Sequence, residues 1–202
     1  MASTKHLLLI FIRNPELGKC KTRLAARIGD QNALDLYKFL LLHTHHVTKG
    51  SRTDKLVCYS DYMDKNDIWE DPEYQKTTQT GKDLGERMAN AFRNGFERGY
   101  NKIIIIGSDM YDLNAEDLEE AFNALEKHEY VIGPATDGGY YLLGMNAFDP
   151  SLFRDKPWGT DKVLKNTLKD LHGKKYVLLT PKNDIDIYED IRDLEVFRPF
   201  LT

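Results

Sequence analysis

The chain has 202 residues, of which 41% are hydrophobic and 30% charged, and this composition is typical of a globular protein. A formal net charge of −4 argues against the basic surface that a nucleic-acid polymer requires, and no apolar run approaches the roughly 20 residues that span a bilayer. We therefore expect one domain over residues 1–202 of a cytoplasmic protein without a signal peptide.

Short apolar runs alternate with segments of helical period along the chain. This pattern predicts an α/β fold with a mostly parallel mixed sheet and helices on both faces. The predicted strands cover residues 7–12, 56–60, 103–106, 130–133, 140–145 and 176–179. Helices are expected around Leu36, Met88, Leu118 and Leu168, with a last helix at the C-terminus. Ligands of such sheets bind beyond the carboxyl ends of the strands.

The stretch RNPELGKCKTRLA (residues 13–25) follows the first predicted strand and leads into a helix. It is not a P-loop, because it begins with arginine where that motif has glycine, and because Cys20 follows Lys19. Backbone N–H groups and cations at a helix start can nevertheless hold a di- or triphosphate. The candidate ligands are Gly18, Lys19, Lys21, Thr22 and Arg23. A solvated basic loop is the alternative interpretation.

The stretch IIIIGSDMYDL carries an acid to the end of another buried strand. An aspartate in this position is well placed to bind Mg²⁺ or Mn²⁺, which prefer oxygen ligands and share them with substrate phosphates. We predict that Asp109 is such a ligand. The alternative is that Asp109 caps a turn, while Asp112 or Asn114 caps the next helix, and for Asp112 we favour a capping role.

Two later stretches also place acids next to predicted strands. In GPATDGGYYLLG, Asp137 precedes two glycines, a pattern that is also typical of a simple hairpin turn. In KNDIDIYEDI, Asp184 and Asp186 follow the last strand and could cap a helix. An acid at this strand end could instead complete a divalent-cation site with Asp109.

Taken in order, six segments resemble a known family: FIRNPELGKCKTRL, QTGKDLGERM, GSDMYDL, GPATDGGYYLLG, WGT and DIDIYED. Their order and spacing resemble the bacterial DUF2064 group, relatives of the GT-A nucleotide-diphospho-sugar transferase superfamily. The resemblance extends from Phe11 to Asp190 and implies a single Rossmann-like GT-A domain. The family loop usually reads GSDCPDL, so Met110 and Tyr111 are departures that we expect to add two bulky side chains at the rim.

The resemblance also implies roles for individual residues. Phosphates would be held by Arg13, Gly18, Lys19, Lys21 and Arg23, and the nucleotide pocket would be lined by Gln79, Gly81 and Arg87. Asp109 and Asp186 would bind Mg²⁺ or Mn²⁺. Asp137, with Gly138 and Gly139, would shape the acceptor side, and Asp137 is the candidate catalytic base.

Three functions are compatible with these residues. The first is metal-dependent glycosyl transfer from a nucleotide-diphospho-sugar to a small-molecule acceptor. The second is nucleotidyl transfer, in which a nucleoside triphosphate reacts with a phosphorylated acceptor and releases pyrophosphate. The third is a non-catalytic nucleotide-binding module, suggested by Met110 and Tyr111. The base, sugar, acceptor and oligomeric state are left open.

Overall fold

The apolar runs of the sequence form the strands of one sheet in the computed structural model, which describes residues 5–70 and 72–201. The strands in these residues are β1 (His6–Ile12), β2 (Asp54–Tyr59), β3 (Tyr74–Thr78), β4 (Lys102–Ile106), β5 (Tyr130–Pro134), β6 (Tyr140–Met145) and β7 (Tyr176–Leu178). The α-helices are α1 (Thr22–Ile28), α2 (Asp30–Thr48), α3 (Leu84–Glu97), α4 (Ala115–Ala124) and α5 (Val163–Asp170). Three 3₁₀ helices cover Pro150–Phe153, Tyr188–Asp190 and Glu195–Phe200.

The sheet has the order β3-β2-β1-β4-β6-β5-β7. Strand β6 is antiparallel to both of its neighbours, and every other neighbouring pair is parallel. The prediction of a mostly parallel mixed sheet is therefore confirmed. Because β1 and β4 are parallel neighbours, with Ile10 opposite Ile106, the loops that follow them leave the same end of the sheet, at the carboxyl ends of the strands.

Alternate residues of β1 face opposite sides of the sheet, as the pleat requires. Leu7 and Leu9 pack on the side covered by α3, with Phe92 among the buried residues there. Leu8 and Ile10 pack on the side covered by α2 and α4. Helices therefore lie on both faces, as predicted. A third cluster joins α1 and α2 to the C-terminal segment, and it includes Leu24, Leu36, Leu40, Ile185, Ile191 and Phe197.

Two expectations about the secondary structure were wrong. The sequence YQKTT was not predicted to form a strand, yet it forms β3 at the edge of the sheet, where polar side chains remain partly exposed. The expected C-terminal helix is replaced by short 3₁₀ helices, the last of which contains Pro199, a residue that lacks the N–H for α-helical hydrogen bonding. In the described part of the chain, no helix has the length and apolar character needed to traverse a bilayer.

Candidate functional site

A buried asparagine fixes the loop after β1 against the loop after β2. The backbone N–H of Asn14 donates to Ser60 Oγ at 3.1 Å, and Asn14 Nδ2 donates to the carbonyl oxygen of Tyr62 at 2.8 Å. Asn14 Oδ1 accepts from the Asp61 N–H at 3.1 Å and from Ser60 Oγ at 3.2 Å. The loop that carries the basic stretch therefore starts from a fully hydrogen-bonded position.

The buried Tyr37 on α2 links the loop after β1 to the loop after β4. Its hydroxyl accepts from the Arg13 N–H at 2.9 Å and donates to the Arg13 carbonyl at 3.1 Å. The Ser108 hydroxyl lies 3.1 Å away, within hydrogen-bond distance. Burial raises the pKa of Tyr37, so the hydroxyl stays protonated and keeps its donor. The sequence pattern predicted a helix around Leu36 but did not indicate this positioning role of Tyr37.

Replacing Tyr37 with phenylalanine should loosen both loops. We expect Tyr37→Phe to lower the free energy of unfolding by about 1–3 kcal/mol, because buried partners of the hydroxyl are left unsatisfied. We also expect a higher KM for the phosphate-containing substrate. Tyr100→Phe is the matched control, since the Tyr100 hydroxyl donates to Asp54 at 2.6 Å, at the start of β2 and away from these loops. A substrate KM raised equally by both variants would contradict the positioning role.

Lys21 is the cation that points into the candidate site. Its side chain is only 7% exposed, and its backbone takes the left-handed conformation, with φ of 49°. The Lys21 Nζ atom lies 3.0 Å from Asp109 Oδ2 and 3.9 Å from Asp186 Oδ1. Arg23 Nη1 donates to Asp186 Oδ2 at 2.6 Å. The structure therefore brings two predicted cations and both predicted metal ligands together.

The other predicted phosphate ligands of this loop face outward. The Lys19 side chain is 73% exposed and pairs with Glu16 Oε2 at 2.5 Å. Gly18 takes a φ of 73°, a conformation that suits glycine in a tight turn. Arg13 and Thr22 are exposed at either end of the loop. These exposed residues agree with the alternative interpretation of a solvated basic loop, whereas the enclosed Lys21 does not.

A cavity of about 280 Å³ opens beside Asp109. We call it the acidic cavity, because Asp109, Asp137 and Asp184 line it together with apolar residues. Burial, reinforced by the nearby charges of Asp137 and Asp109, raises the pKa of Asp184 to about 6. Burial also opposes ionisation of Asp109, but the Lys21 ammonium outweighs it and lowers the pKa of Asp109. The sequence suggested Asp184 only as an acid near a strand end.

The raised pKa of Asp184 predicts a pH-dependent stability. A raised pKa in the folded protein means that stability falls as pH rises from about 4 through about 6, because the folded state must release a more tightly held proton. We expect Asp184→Asn to be more stable than the parent by about 1–2 kcal/mol at pH 7.5, and equally stable at pH 4. Urea unfolding at the two pH values measures this difference. An identical difference at both pH values would contradict it.

The segment that contains Asp137 is both a hairpin turn and part of the acidic cavity. It joins the antiparallel strands β5 and β6, and the Gly139 N–H donates to Asp137 Oδ1 at 2.8 Å. Gly138 has a φ of 92°, and a Cβ there would lie 2.3 Å from the carbonyl oxygen of Asp161. Gly138 therefore permits a close backbone approach, while Asp137 and Gly139 line the cavity.

Two of the three predicted nucleotide-pocket residues, Gln79 and Arg87, line a neighbouring groove of about 440 Å³. Gln79 Nε2 donates to the carbonyl oxygens of Ile12 at 3.1 Å and Cys58 at 2.8 Å, and so joins the ends of β1 and β2. Arg87 Nε donates to the Gly81 carbonyl at 3.3 Å. Gln79 and Arg87 line this groove but not the acidic cavity, although Phe11 lines both.

The expectation that Met110 and Tyr111 both crowd the rim was wrong for Tyr111. The Tyr111 ring packs against Phe39, His43 and Phe197, with its centroid 5.0 Å from that of Phe197. It therefore anchors the C-terminal segment. Met110 is buried and contributes to the wall of the acidic cavity. The loop after β4 is held without the usual proline.

The capping role that we favoured for Asp112 is taken by Asn114, two residues later. Asn114 is the N-cap of α4, and its side-chain oxygen accepts from the Asp117 N–H at 2.9 Å. The side chain of Asp117 accepts from the Asn114 N–H in return, which completes a capping box. Asp109 is five residues before Asn114 and pairs with Lys21 instead.

Asp109 and Asp186 are the carboxylates nearest to Lys21 that could bind a divalent cation. Among the described residues, no group of three or more His, Cys, Asp or Glu side chains is arranged to hold a metal ion by itself. However, the Lys21 ammonium lies 3.0 Å from Asp109 and 3.9 Å from Asp186, so both carboxylates face one point, and an ion that replaced this ammonium would bind both once they closed to about 2.1 Å. Two carboxylates suffice for Mg²⁺, which takes its remaining oxygens from water and substrate phosphates. The residues therefore fit the ion.

Comparison with solved structures shows the class of protein to which this chain is similar in fold. A protein from Desulfovibrio desulfuricans G20, assigned as a nucleotide-diphospho-sugar transferase, is 30% identical with a TM-score of 0.84, over 96% of this chain and 90% of that one. Residues 43–160 match the DUF2064 family model, described as an uncharacterized protein conserved in bacteria. The chain belongs to the DUF2064 family.

More distant structures share the fold alone. A cytidylyltransferase from Leptospira borgpetersenii is 15% identical with a TM-score of 0.58, over 93% of this chain and 83% of that one. A 4-diphosphocytidyl-2C-methyl-D-erythritol synthase from Anaerococcus prevotii is 11% identical with a TM-score of 0.56, over 94% of each chain. A comparison with curated proteins finds no match.

Proposed function

We propose that this protein is a metal-dependent transferase that moves a sugar from a nucleotide-diphospho-sugar to a small-molecule acceptor. The proposal depends on one observation: Lys21 lies within 3.0 Å of Asp109 and 3.9 Å of Asp186, beyond the carboxyl ends of the strands. Diphosphates are commonly bound by a cationic side chain together with a carboxylate-held divalent ion, and the proximity of Lys21 to two carboxylates supports such a site here. The similarity to a protein assigned as a nucleotide-diphospho-sugar transferase supports the choice of donor.

Asp109 and Asp186 would hold Mg²⁺ or Mn²⁺. When bound, the ion supplies electrostatic neutralisation of the donor diphosphate. Lys21 and Arg23 would exchange their carboxylate partners for phosphate oxygens and stabilise the negative charge that grows on the leaving group. A well-placed donor of this kind is worth about 10²–10³ in rate. The backbone link from the Ile185 N–H to the Asp109 carbonyl, at 3.1 Å, keeps the two acidic segments adjacent.

The proposed reaction is a displacement at the anomeric carbon of the sugar. The acceptor hydroxyl oxygen forms a bond to that carbon, the bond from the carbon to the phosphate oxygen breaks, and the nucleoside diphosphate leaves with the electron pair. The hydroxyl proton passes to a carboxylate, for which Asp137 is our candidate base. The Gly139 N–H orients Asp137 through one carboxylate oxygen, so the other oxygen is available to the acceptor.

Nucleotidyl transfer is the second candidate, because the fold is shared with proteins named as cytidylyltransferases. The same cations would then stabilise departing pyrophosphate. The test incubates the protein with nucleotide-sugars or nucleoside triphosphates, with Mn²⁺ and a broad set of acceptors, and measures the phosphate product. We expect nucleoside diphosphate from a nucleotide-sugar and none without metal. Pyrophosphate release from a triphosphate would contradict glycosyl transfer and establish the second candidate.

A further inference from the structure

The acidic cavity contains a large apolar surface as well as its three carboxylates. Phe11, Leu84, Met88 and Trp158 line it, together with Val163. Leu84 is 45% exposed, so its apolar side chain is accessible to a ligand in the cavity. A concave, mostly apolar pocket with a few polar groups is the usual form of a small-molecule site. The cavity therefore suits a ligand with one apolar side and one side that donates hydrogen bonds.

Gly85 on α3 leaves room for the indole of Trp158 to pack against the helix. A Cβ at Gly85 would lie 2.5 Å from Trp158 Nε1 and 2.6 Å from the carbonyl oxygen of Phe153, so no larger residue fits there without displacement. Gly85 thus lets the first turn of α3 approach the ring. This contact links two of the sequence segments, QTGKDLGERM and WGT, and gives both a place in one cavity wall.

The charge of the cavity excludes one class of ligand. Among the described residues that line it, none is Lys, Arg or His, whereas three are Asp. Lys21, on the adjoining loop, is paired with Asp109 and is assigned to the donor diphosphate. With Asp109 assigned to the metal ion and the donor diphosphate, Asp137 and Asp184 remain to meet the acceptor, and a phosphorylated acceptor would place negative charge beside these two carboxylates. Neutral hydroxyl groups can instead donate hydrogen bonds to Asp137 and Asp184.

We infer that the acidic cavity binds the acceptor, and that this acceptor is an uncharged, hydroxyl-bearing small molecule with an apolar face that packs on Trp158 and Leu84. The inference rests on the proposed function and adds the substrate class that the donor site does not define. It favours an alcohol or a neutral glycoside over a sugar phosphate.

The test measures binding of two matched probes, phenyl β-D-glucoside and its 6-phosphate, by calorimetry with Mn²⁺ and a saturating nucleoside diphosphate present. We expect the neutral glucoside to bind at least tenfold more tightly than its phosphate. Leu84→Ser should weaken glucoside binding at least fivefold, and Trp158→Ala should abolish it. Leu42→Ser is the control, because Leu42 is similarly exposed, at 41%, and lies outside the cavity lining.

Three results would overturn the inference. Equal or tighter binding of the 6-phosphate would overturn the substrate class, and glucoside binding that survives Leu84→Ser and Trp158→Ala would overturn the cavity assignment. Failure of both probes to bind, while the nucleotide still binds with metal, would overturn the inference and leave the proposed function standing. Absence of any metal-dependent nucleotide binding would overturn the proposed function, and the inference with it.

Discussion

Asp109→Asn is expected to abolish metal-dependent binding of the nucleotide-sugar and to lower kcat/KM by about 10²–10³-fold. Asparagine keeps the shape of the side chain but removes the charge that holds the cation. The pKa of Asp109 lies below its ordinary value because of Lys21, so the wild-type carboxylate is ionised at neutral pH. A titration of Mn²⁺ against the protein with saturating nucleoside diphosphate measures the loss directly.

Asp112→Asn is the matched control for this variant. Asp112 lies in the same loop but is exposed, and its carbonyl, rather than its carboxylate, accepts from Lys182 Nζ at 2.9 Å. We expect the control to retain metal affinity within about twofold, in line with the small effects of exposed substitutions. Thermal unfolding of both variants verifies that they are folded. Unchanged Mn²⁺ affinity in a folded Asp109→Asn protein would remove Asp109 from the proposed metal site.

Lys21→Gln is expected to lower kcat/KM for the donor by about 100-fold, the effect of losing one well-placed charge on the leaving group. Lys21 is the cation whose side chain is enclosed by the site, since it is 7% exposed and touches Asp109. Glutamine is one atom shorter and keeps an N–H donor, but it carries no charge. Steady-state kinetics with a nucleotide-sugar and Mn²⁺ give the comparison.

Lys19→Gln separates a specific role of Lys21 from a general effect of loop charge. Lys19 is two residues away in the same loop but is 73% exposed and pairs with Glu16. We expect Lys19→Gln to change kcat/KM by less than about threefold, because exposed charges are screened by solvent. Equal losses in the two variants would show that the loop acts only through its net charge.

Most of the strands that the sequence predicted have apolar residues buried on both faces, although β7, which was also predicted, is largely exposed. The run from Leu7 to Ile12 forms β1, and its position in the interior of the sheet, between β2 and β4, explains why the signal was strong. Strand β3 was missed because an edge strand needs little apolar surface, and YQKTT buries only Tyr74. Its pairing with β2 is a tertiary contact that local periodicity does not encode.

The candidate site was predictable in its residue types and only partly in its geometry. Position after a buried strand was enough to select Asp109, and motif order added Asp137 and Asp186. The difference between Lys19 and Lys21 depends on the left-handed backbone at Lys21, which sequence spacing does not reveal. The bond between Tyr37 and Ser108 joins residues that are 71 positions apart, so no local pattern indicates it.

The most direct test of the central claim is a thermal-unfolding screen of nucleotide-diphospho-sugars and nucleoside triphosphates, each with and without Mn²⁺. A ligand at a hundredfold excess over its Kd stabilises the folded state by about 2.7 kcal/mol, which is readily measured. We predict that at least one nucleotide-diphospho-sugar raises Tm only when Mn²⁺ is present, and that Asp109→Asn removes this shift. The account would be contradicted if triphosphates raised Tm and no nucleotide-sugar did. Stabilisation by a nucleotide-sugar that is independent of metal would also contradict it.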